Sequence, residues 1–202
     1  MGYTAIIDYG VGNLKSVANA LAYLGRESRI VSEAGELELA DTVILPGVGA
    51  FPDAADKLRA AGLEKPLLDQ VGRKPILGIC LGMQLLFERG TEVRPCRGLG
   101  LIGGTVERIP TELKLPHIGW NSLTFHGDCP LFAGLDQEAY VYFVHSYYGA
   151  ATRPEQVLAT TDYGLPVTAA VGSGLVFGTQ FHPEKSGEVG LRILRNFTDL
   201  GG

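Results

Sequence analysis

Four short apolar runs alternate with helical patterns in the first half of the chain, and this alternation restricts the fold more than any other feature. The runs are rich in branched residues. They occupy 3–8, 28–32, 41–46 and 75–79. Helical patterns stand between them, for example at 14–25, where Asn13 can cap the first turn. Strands joined through helices pair in parallel, and helices cover both faces of a parallel sheet. The sequence therefore predicts an α/β fold with a mostly parallel central sheet.

The second half has a different pattern, with several strand candidates and few helices between them. The candidates lie at 104–109, 118–125, 139–149, 157–164, 166–172 and 175–181. Strands that follow one another without helices pair antiparallel, so we expect an antiparallel extension joined to the main sheet. An amphipathic helix is expected at 187–200. Because no linker or internal repeat interrupts the pattern, a single domain over residues 1–202 is predicted.

The composition is typical of a folded globular protein, since 46% of the 202 residues are hydrophobic and 19% are charged. The net charge of -5 argues against a surface for nucleic acid or for anionic membranes. No apolar run is long enough to cross a bilayer, and the first residues lack the pattern of a signal peptide. We therefore expect a cytoplasmic protein. The three cysteines lack CxxC spacing, which argues against a disulfide framework or a zinc cage.

Cys80 stands where the fourth apolar run ends and a helical pattern begins, in the segment GICLG. A nucleophile on a sharp strand-to-helix turn has a strained backbone, and the residues two before and two after it come close together. Gly78 and Gly82 occupy those positions, where larger side chains would collide. Amides at a helix N-terminus favour a thiolate and can hydrogen-bond an oxyanion. The pattern favours a nucleophile over the alternative, a buried structural thiol.

A cysteine nucleophile needs a base, and the base needs an orienting group. His182 and Glu184 follow an apolar strand candidate, and Pro183 stiffens the link between them. Both can project into one cleft, where the carboxylate would fix the imidazole tautomer. A surface turn and a pair of metal ligands stay open as alternatives, although no third ligand with recognisable spacing is visible. His126 is expected in a turn, and His145 as a structural or pocket-lining residue in a strand.

Two loops that contain glycines also follow strand candidates. In PGVG, the backbone amides of Gly47, Val48 and Gly49 can complete an oxyanion hole, with an ordinary turn as the alternative. DYGVGN is comparable to a dinucleotide-binding loop, but Lys15 stands where the third glycine of GxGxxG belongs. Glu33 lies at a spacing suited to a ribose contact, so a nucleotide site stays open as a minor alternative.

The segments PGVG, GICLGMQLL and QFHPEKS together resemble the class I, or triad, glutamine amidotransferases, in the same order across nearly the full chain. DYGVGN, PHIGWN and YFVHSYY extend the resemblance to the glutaminase subunits of imidazole glycerol phosphate synthases, which act in histidine biosynthesis. The resemblance implies a flavodoxin-like core and a triad of Cys80, His182 and Glu184. Cys80 would attack the side-chain amide of L-glutamine, and water would cleave the glutamyl thioester to give L-glutamate and ammonia. No cofactor and no metal are implied.

The same resemblance assigns residues around the triad and a partner. The amide of Leu81 would join those of 47–49 in the oxyanion hole. Gly49, Gln84, Ser146 and Tyr147 would hold glutamine. A (β/α)8-barrel cyclase, bound as a heterodimer, would receive the ammonia and form imidazole glycerol phosphate and aminoimidazole carboxamide ribotide. The candidates for the contact face are Asn13, Trp120, Tyr142 and Lys185.

Several alternatives accompany these expectations. Trp120 would otherwise lie in the core, and Lys185 would otherwise be a solvated side chain. The glutaminase could serve anthranilate, aminodeoxychorismate or pyridoxal phosphate synthesis instead, although PHIGWN and YFVHSYY argue against this. The chain could also be a cysteine hydrolase of similar fold that has no ammonia acceptor. A non-catalytic binding subunit is disfavoured, because both Cys80 and His182 are present.

Overall fold

The first half of the chain alternates between strands and helices, as its pattern of apolar runs predicts. The computed structural model describes residues 2–202. In this half the elements are β1 (Thr4–Ile7), α1 (Leu14–Tyr23), β2 (Ser28–Val31), α2 (Ala34–Leu39), β3 (Thr42–Leu45), α3 (Phe51–Ala60), α4 (Glu64–Leu68), β4 (Ile76–Ile79) and α5 (Leu81–Leu85).

The second half consists mainly of strands and ends in a helix. Short 3-10 helices lie at Pro130–Phe132, Pro154–Gln156 and Pro183–Lys185. No helix within residues 2–202 combines the length and hydropathy needed to cross a membrane. The longer elements are β5 (Phe87–Gly90), β6 (Cys96–Arg97), β7 (Ile102–Arg108), β8 (His117–Ser122), β9 (Thr124–Phe125), β10 (Tyr140–His145), β11 (Tyr147–Ala151), β12 (Val157–Asp162), β13 (Pro166–Ser173), β14 (Val176–Thr179) and α6 (Gly187–Asp199).

The central sheet has eight strands in the order β2-β1-β3-β4-β14-β13-β12-β9. The first five pair in parallel, and the last three extend the sheet in antiparallel pairing. This arrangement confirms the predicted α/β fold with a mostly parallel centre, and its strand order is that of flavodoxin-like sheets. Ligands of such sheets bind beyond the carboxyl ends of the strands. Since β4 pairs with β14 in the register Ile79 to Thr179, the residues that follow these strands emerge side by side.

Apolar side chains fill both faces of the central sheet, which explains why its strands read as continuous apolar runs. On β1, Ala5 and Ile7 point to one face and Ile6 to the other, and all three are buried. The first face is covered from α2 to α5, including Leu58 of α3, and the second by α1 and α6, including Phe197 of α6. The sheet is thereby held between two helical layers, which fixes the carboxyl edge where β4 and β14 end.

The second half differs from its prediction, because its strands form two further sheets beside the antiparallel extension. One pairs β10 with β8, and the other has the order β11-β7-β5-β6. The single strand expected at 139–149 is divided at Ser146 into β10 and β11, which belong to different sheets. An alternating apolar pattern indicates a strand but does not specify its partner, so the division was not visible in the sequence.

Candidate active site

Cys80 occupies a sharp turn between β4 and α5, with φ 55° and ψ -111°. This left-handed conformation is strained for a residue with a side chain. A Cβ atom on Gly78 would lie 2.6 Å from the Gly82 carbonyl oxygen, and one on Gly82 would lie 1.8 Å from the Leu45 carbonyl oxygen. Both glycines are therefore required by close backbone approach; the approach of Gly78 to Gly82 is the predicted one, and that of Gly82 to Leu45 is additional. The Cys80 amide donates to the Thr179 carbonyl oxygen at 2.7 Å, which ties the turn to β14.

His182 and Glu184 lie just beyond β14, beside this turn. Their side chains are buried, at 3% and 1% exposure, and His182 Nδ1 lies 2.8 Å from Glu184 Oε1. Burial acts to lower the pKa of His182, but the neighbouring Cys80 and Glu184 raise it to about 9. Glu184 Oε2 is also buried and finds no hydrogen-bond partner among the described residues. A buried carboxylate favours a cation beside it, so the arrangement favours an imidazolium next to the Cys80 sulfur.

A cavity of about 360 Å³ opens over the cysteine, and its size suits a small ligand. Most of the residues that the sequence nominated for the triad, the oxyanion hole and the glutamine site line it. Those residues are Val48, Gly49, Cys80, Leu81, Gln84, Ser146, Tyr147 and His182, and the interface candidate Lys185 also lines the cavity. Two nominated residues stand back from the cavity: Glu184 contacts His182, and Gly47 packs against the cysteine turn. The structure thus brings the nominated residues together around one cavity.

The loop 47–49 is packed tightly against the cysteine turn. A Cβ atom on Gly47 would lie 2.7 Å from the Gly82 amide nitrogen, so only glycine allows this contact. The loop DYGVGN supports it from the other side: the Tyr9 hydroxyl donates to the Pro46 carbonyl oxygen at 2.7 Å, and Gly12 lies against the Pro46 ring. Burial, and to a lesser degree Cys80, raises the pKa of Tyr9, which keeps this hydroxyl protonated. Gly12, one of the two glycines that invited a comparison with nucleotide-binding loops, therefore packs against the start of the candidate oxyanion loop.

The cavity is also lined by four residues that the sequence did not nominate as site residues. Glu92 accepts a hydrogen bond from the Phe51 amide at 2.8 Å through Oε2. His145, expected as structural or pocket-lining, has both roles, since its Nδ1 lies 2.9 Å from the Tyr147 carbonyl oxygen. Pro116 and Val144 complete the set. Glu92 follows a strand that the sequence pattern did not reveal, and no motif surrounds it, so no local signal could have found it.

The interface candidates lie at the surface. Asn13 caps α1 by accepting from the Ser16 amide at 3.4 Å. Trp120 is 56% exposed, which excludes the alternative of a core position. Trp120 and Tyr142 are directly opposite on β8 and β10, with their ring centroids 6.2 Å apart. Lys185 is exposed beside the triad, on the 3-10 helix that carries Glu184.

The metal-ligand alternative finds no support in the geometry. Within residues 2–202, no group of three or more His, Cys, Asp or Glu side chains is arranged to hold a metal ion. His182 and Glu184 face each other rather than a common point, because Nδ1 and Oε1 are within hydrogen-bond distance. The pair therefore has the geometry of a base and its orienting carboxylate.

Comparisons with known proteins identify the family of the chain. The family model described as glutamine amidotransferase class-I matches residues 5–200. The subunit HisH of imidazole glycerol phosphate synthase from Bacillus cereus is 51% identical over 195 residues, which covers 96% of this chain and 92% of that protein. The same subunit from Bacillus thuringiensis is 48% identical with the same coverage.

Solved structures agree at the level of the fold. A crystal structure of a glutamine amidotransferase aligns over 100% of both chains with a TM-score of 0.79 and 24% identity. The structure of PurLQS from Thermotoga maritima covers 98% of this chain and 99% of that chain, with a TM-score of 0.77 and 21% identity. The match of the family model to nearly the whole sequence, and the identity to the curated relatives, establish that this chain belongs to the class-I glutamine amidotransferases.

Proposed function

We propose that the chain is the glutaminase subunit of an imidazole glycerol phosphate synthase and hydrolyses L-glutamine to L-glutamate and ammonia for histidine biosynthesis. The observation that carries this proposal is the contact of His182 with Glu184 at 2.8 Å beside Cys80, at the wall of a cavity of suitable size. Relatives that are 51% identical and named as subunit HisH of that synthase support the choice of acceptor reaction.

The reaction begins with attack of the Cys80 sulfur on the side-chain carbonyl carbon of glutamine. A carbon–sulfur bond forms, and the carbonyl oxygen becomes an oxyanion, for which the amides of 47–49 and Leu81 are the candidate donors. When the carbon–nitrogen bond breaks, the departing nitrogen takes a proton from the His182 imidazolium and leaves as ammonia. The elevated pKa of His182, about 9, keeps this proton available at neutral pH.

The second half of the reaction returns Cys80 to its starting state. Neutral His182 takes a proton from water, and the resulting hydroxide equivalent attacks the glutamyl thioester. Collapse of this intermediate breaks the carbon–sulfur bond and releases glutamate, while His182 keeps the proton. Glu184 holds the imidazole tautomer throughout and stabilises its cationic form.

The cavity offers complementary groups for the amino-acid end of glutamine. Glu92 and Lys185 both line the cavity, and their opposite charges suit the α-ammonium and α-carboxylate groups of glutamine. Both N–H groups of the Gln84 side chain are used within the protein, on the Tyr147 carbonyl oxygen and on Gln180 Oε1, each at 3.0 Å. Gln84 Oε1 is therefore the atom through which this residue would contact glutamine.

The proposed partner is a (β/α)8-barrel cyclase that receives the ammonia in a heterodimer. Ammonia is protonated in water and then cannot act as a nucleophile, so its release must face an acceptor site. The outward face of β8 and β10 exposes Ile118, Trp120 and Tyr140, at 59%, 56% and 53%. This apolar face lies beside the cavity, because β10 ends at His145 in its wall, and Asn13 and Lys185 are further candidates for the contact. The cytoplasmic location stays a prediction.

Replacement of the nucleophile tests the proposal. Cys80→Ala in complex with the cognate cyclase should lower glutamate release at least about 1,000-fold, because no covalent intermediate can form. Binding of the cyclase, measured by calorimetry, should be unchanged. Cys129→Ala, which also removes a buried thiol, should keep nearly full activity as the matched control. Glutamate release by the Cys80→Ala complex at the normal rate would show that Cys80 is not the nucleophile.

A further inference from the structure

A carbonyl group in the cavity wall fixes the direction of two neighbouring side chains. The Tyr147 carbonyl oxygen lies 3.0 Å from Gln84 Nε2 and 2.9 Å from His145 Nδ1. A carbonyl oxygen can only accept hydrogen bonds, so the facing atom of each side chain must carry a hydrogen. This requirement sets both the orientation of the Gln84 amide and the tautomer of His145.

The orientation of Gln84 in turn fixes that of Gln180. The second N–H of Gln84 Nε2 points to Gln180 Oε1 at 3.0 Å. With its oxygen turned towards Gln84, the Gln180 side chain presents Nε2 in the other direction, where it lies 3.8 Å from the Cys80 sulfur. A sulfur atom is large and accepts hydrogen bonds at longer distances than oxygen, so this N–H donates to Cys80.

The position of Gln180 leaves little freedom for another arrangement. The residue has 0% exposure, and its backbone amide donates to the Ala169 carbonyl oxygen at 2.8 Å. It directly follows β14, opposite the end of β4, so its side chain emerges beside Cys80. Burial of an amide is unfavourable unless its polar atoms are hydrogen-bonded. Gln180 meets this condition with Gln84 on one side and the nucleophile on the other.

We propose that Gln180 is a positioning residue that acts through Cys80, with its amide N–H directed at the sulfur to orient it and to favour its thiolate form. The inference rests on the proposed function for the role of Cys80 as nucleophile. It adds a donor that the triad does not contain. The other groups near the sulfur are His182 and Tyr9, and Glu92, His145 and Lys185 line the same cavity.

Replacement of Gln180 by methionine removes the donor without adding charge and roughly keeps the side-chain length. We measure alkylation of Cys80 by iodoacetamide in the full chain at pH 7 and pH 9, following the Cys80 peptide by mass spectrometry. The rate at pH 7 should fall about fivefold, while the rate at pH 9 changes less than about twofold, because a donor to the sulfur favours thiolate over thiol and any thiol is less populated at the higher pH. The alkylation ratio, defined as the rate at pH 9 divided by the rate at pH 7, therefore rises.

Gln156→Met is the matched control, since Gln156 is a buried glutamine that accepts from the Gly103 amide at 2.9 Å and does not line the cavity. Its ratio of alkylation rates should equal that of the unmodified chain. If Gln180→Met does not show a cooperative thermal transition, Gln180→Glu replaces it: its carboxylate still accepts from Gln84 but brings a negative charge to the sulfur, and the ratio should rise further. An unchanged ratio in a folded Gln180 variant would overturn the proposal.

Kinetics of the complex with the cyclase separate this inference from the proposed function. For Gln180→Met, kcat for glutamate release should fall about fivefold and KM should stay within about twofold. A changed alkylation ratio with normal glutamate release would retain the contact with the sulfur but reject its role in the reaction. A normal alkylation ratio with reduced kcat would reject the positioning role, while Cys80→Ala independently reports on the nucleophile.

Discussion

Two buried histidines line the same cavity, and the fold favours the cationic form of one and the neutral form of the other. His182 has its pKa raised to about 9, because Cys80 and Glu184 outweigh the effect of burial. His145 has its pKa lowered to about 4: burial is the main cause, and the nearby His117 and His182 add to it against the effect of the Tyr147 carbonyl. The two side chains are almost equally inaccessible, so burial alone does not determine the charge. At His182 the neighbouring Cys80 and Glu184 outweigh burial, whereas at His145 burial prevails.

The difference separates His182, the proposed proton carrier, from His145, which supports the cavity wall. His145 donates through Nδ1 to Tyr147, so its Nε2 is unprotonated and accepts from His117 Nδ1 at 3.2 Å. His117 lies between the rings of Tyr163 and Phe143, with centroid distances of 4.0 and 4.7 Å, and burial lowers its pKa as well. A chain of neutral rings supports the cavity wall, whereas His182 has a raised pKa beside Cys80, the proposed nucleophile.

The largest expected effect comes from removing the carboxylate that distinguishes His182. Glu184→Gln should lower kcat for glutamate release about 1,000-fold, because the amide neither stabilises the imidazolium nor enforces its tautomer. Steady-state kinetics of the complex measure this. Glu188→Gln, an exposed change on α6 with the same loss of charge, should stay within twofold of normal. A Glu184→Gln complex with half of the normal kcat would mean that the carboxylate does not set the charge of His182.

The same substitution has a signature in the pH dependence of stability. The pKa of His182 in the folded chain, about 9, lies above the value of about 6.5 for a free histidine. The stabilisation from the pair is therefore fully present below about pH 6.5 and is lost as the pH rises through 9. Denaturant titrations at pH 6.5 and at pH 9 measure this effect. As the pH rises between these values, the unfolding free energy of Glu184→Gln should fall less than that of the unmodified chain.

An effect of intermediate size is expected for His145. Its contribution to stability is lost as the pH falls, whereas that of His182 is lost as the pH rises. Its lowered pKa means that the unfolded chain takes up a proton below about pH 6.5, while the folded chain resists protonation until about pH 4. This contribution to stability is fully present above pH 6.5 and is lost as the pH falls towards 4. His145→Gln should reduce the difference in unfolding free energy between pH 7 and pH 4.5 by about 2 kcal/mol.

Denaturant titrations at the two pH values measure this difference. His126→Gln replaces a histidine that is exposed and should leave the difference nearly unchanged. If His145→Gln loses as much stability on acidification as the unmodified chain does, His145 is not the neutral support inferred above.

The smallest expected effect concerns the outer face of the wall that the neutral rings support. His117 points inward from β8, whereas Trp120 points outward and is 56% exposed. Trp120→Ala should change the unfolding free energy by less than about 0.5 kcal/mol but weaken binding of the cyclase about tenfold or more. Calorimetry measures the affinity for the cyclase, and denaturant titration measures the unfolding free energy. Tyr23→Ala removes another exposed aromatic side chain and should leave binding unchanged; equal affinity for both variants would remove Trp120 from the proposed interface.

The features predicted from the sequence are those encoded by neighbouring residues. The turn at Cys80 was visible because glycines two positions away on either side are needed for its geometry. The parallel half was visible because strands buried on both faces are continuously apolar. The helix after Cys80 was harder to judge: α5 ends at Leu85, and the apolar pattern continues into β5, which begins at Phe87. Apolar residues at these positions suit either structure.

The features that the sequence did not reveal depend on contacts between distant segments. Gln180 lies beside Cys80 only because β4 pairs with β14, and no spacing in the sequence records that pairing. His145 meets His117 because β10 pairs with β8. The charge of each histidine follows from such partners, so the residues could be nominated from the sequence while their protonation states could not.

The crowding of backbone at the cysteine turn limits how this corner can change. Gly47, Gly78 and Gly82 each lie so close to a neighbouring main-chain atom that a methyl group would overlap it. The Cys80 side chain itself lines the cavity, which leaves room on that side for a different group. A designer who wishes to install a different reactive group on this scaffold can therefore replace Cys80, but must keep the three surrounding glycines.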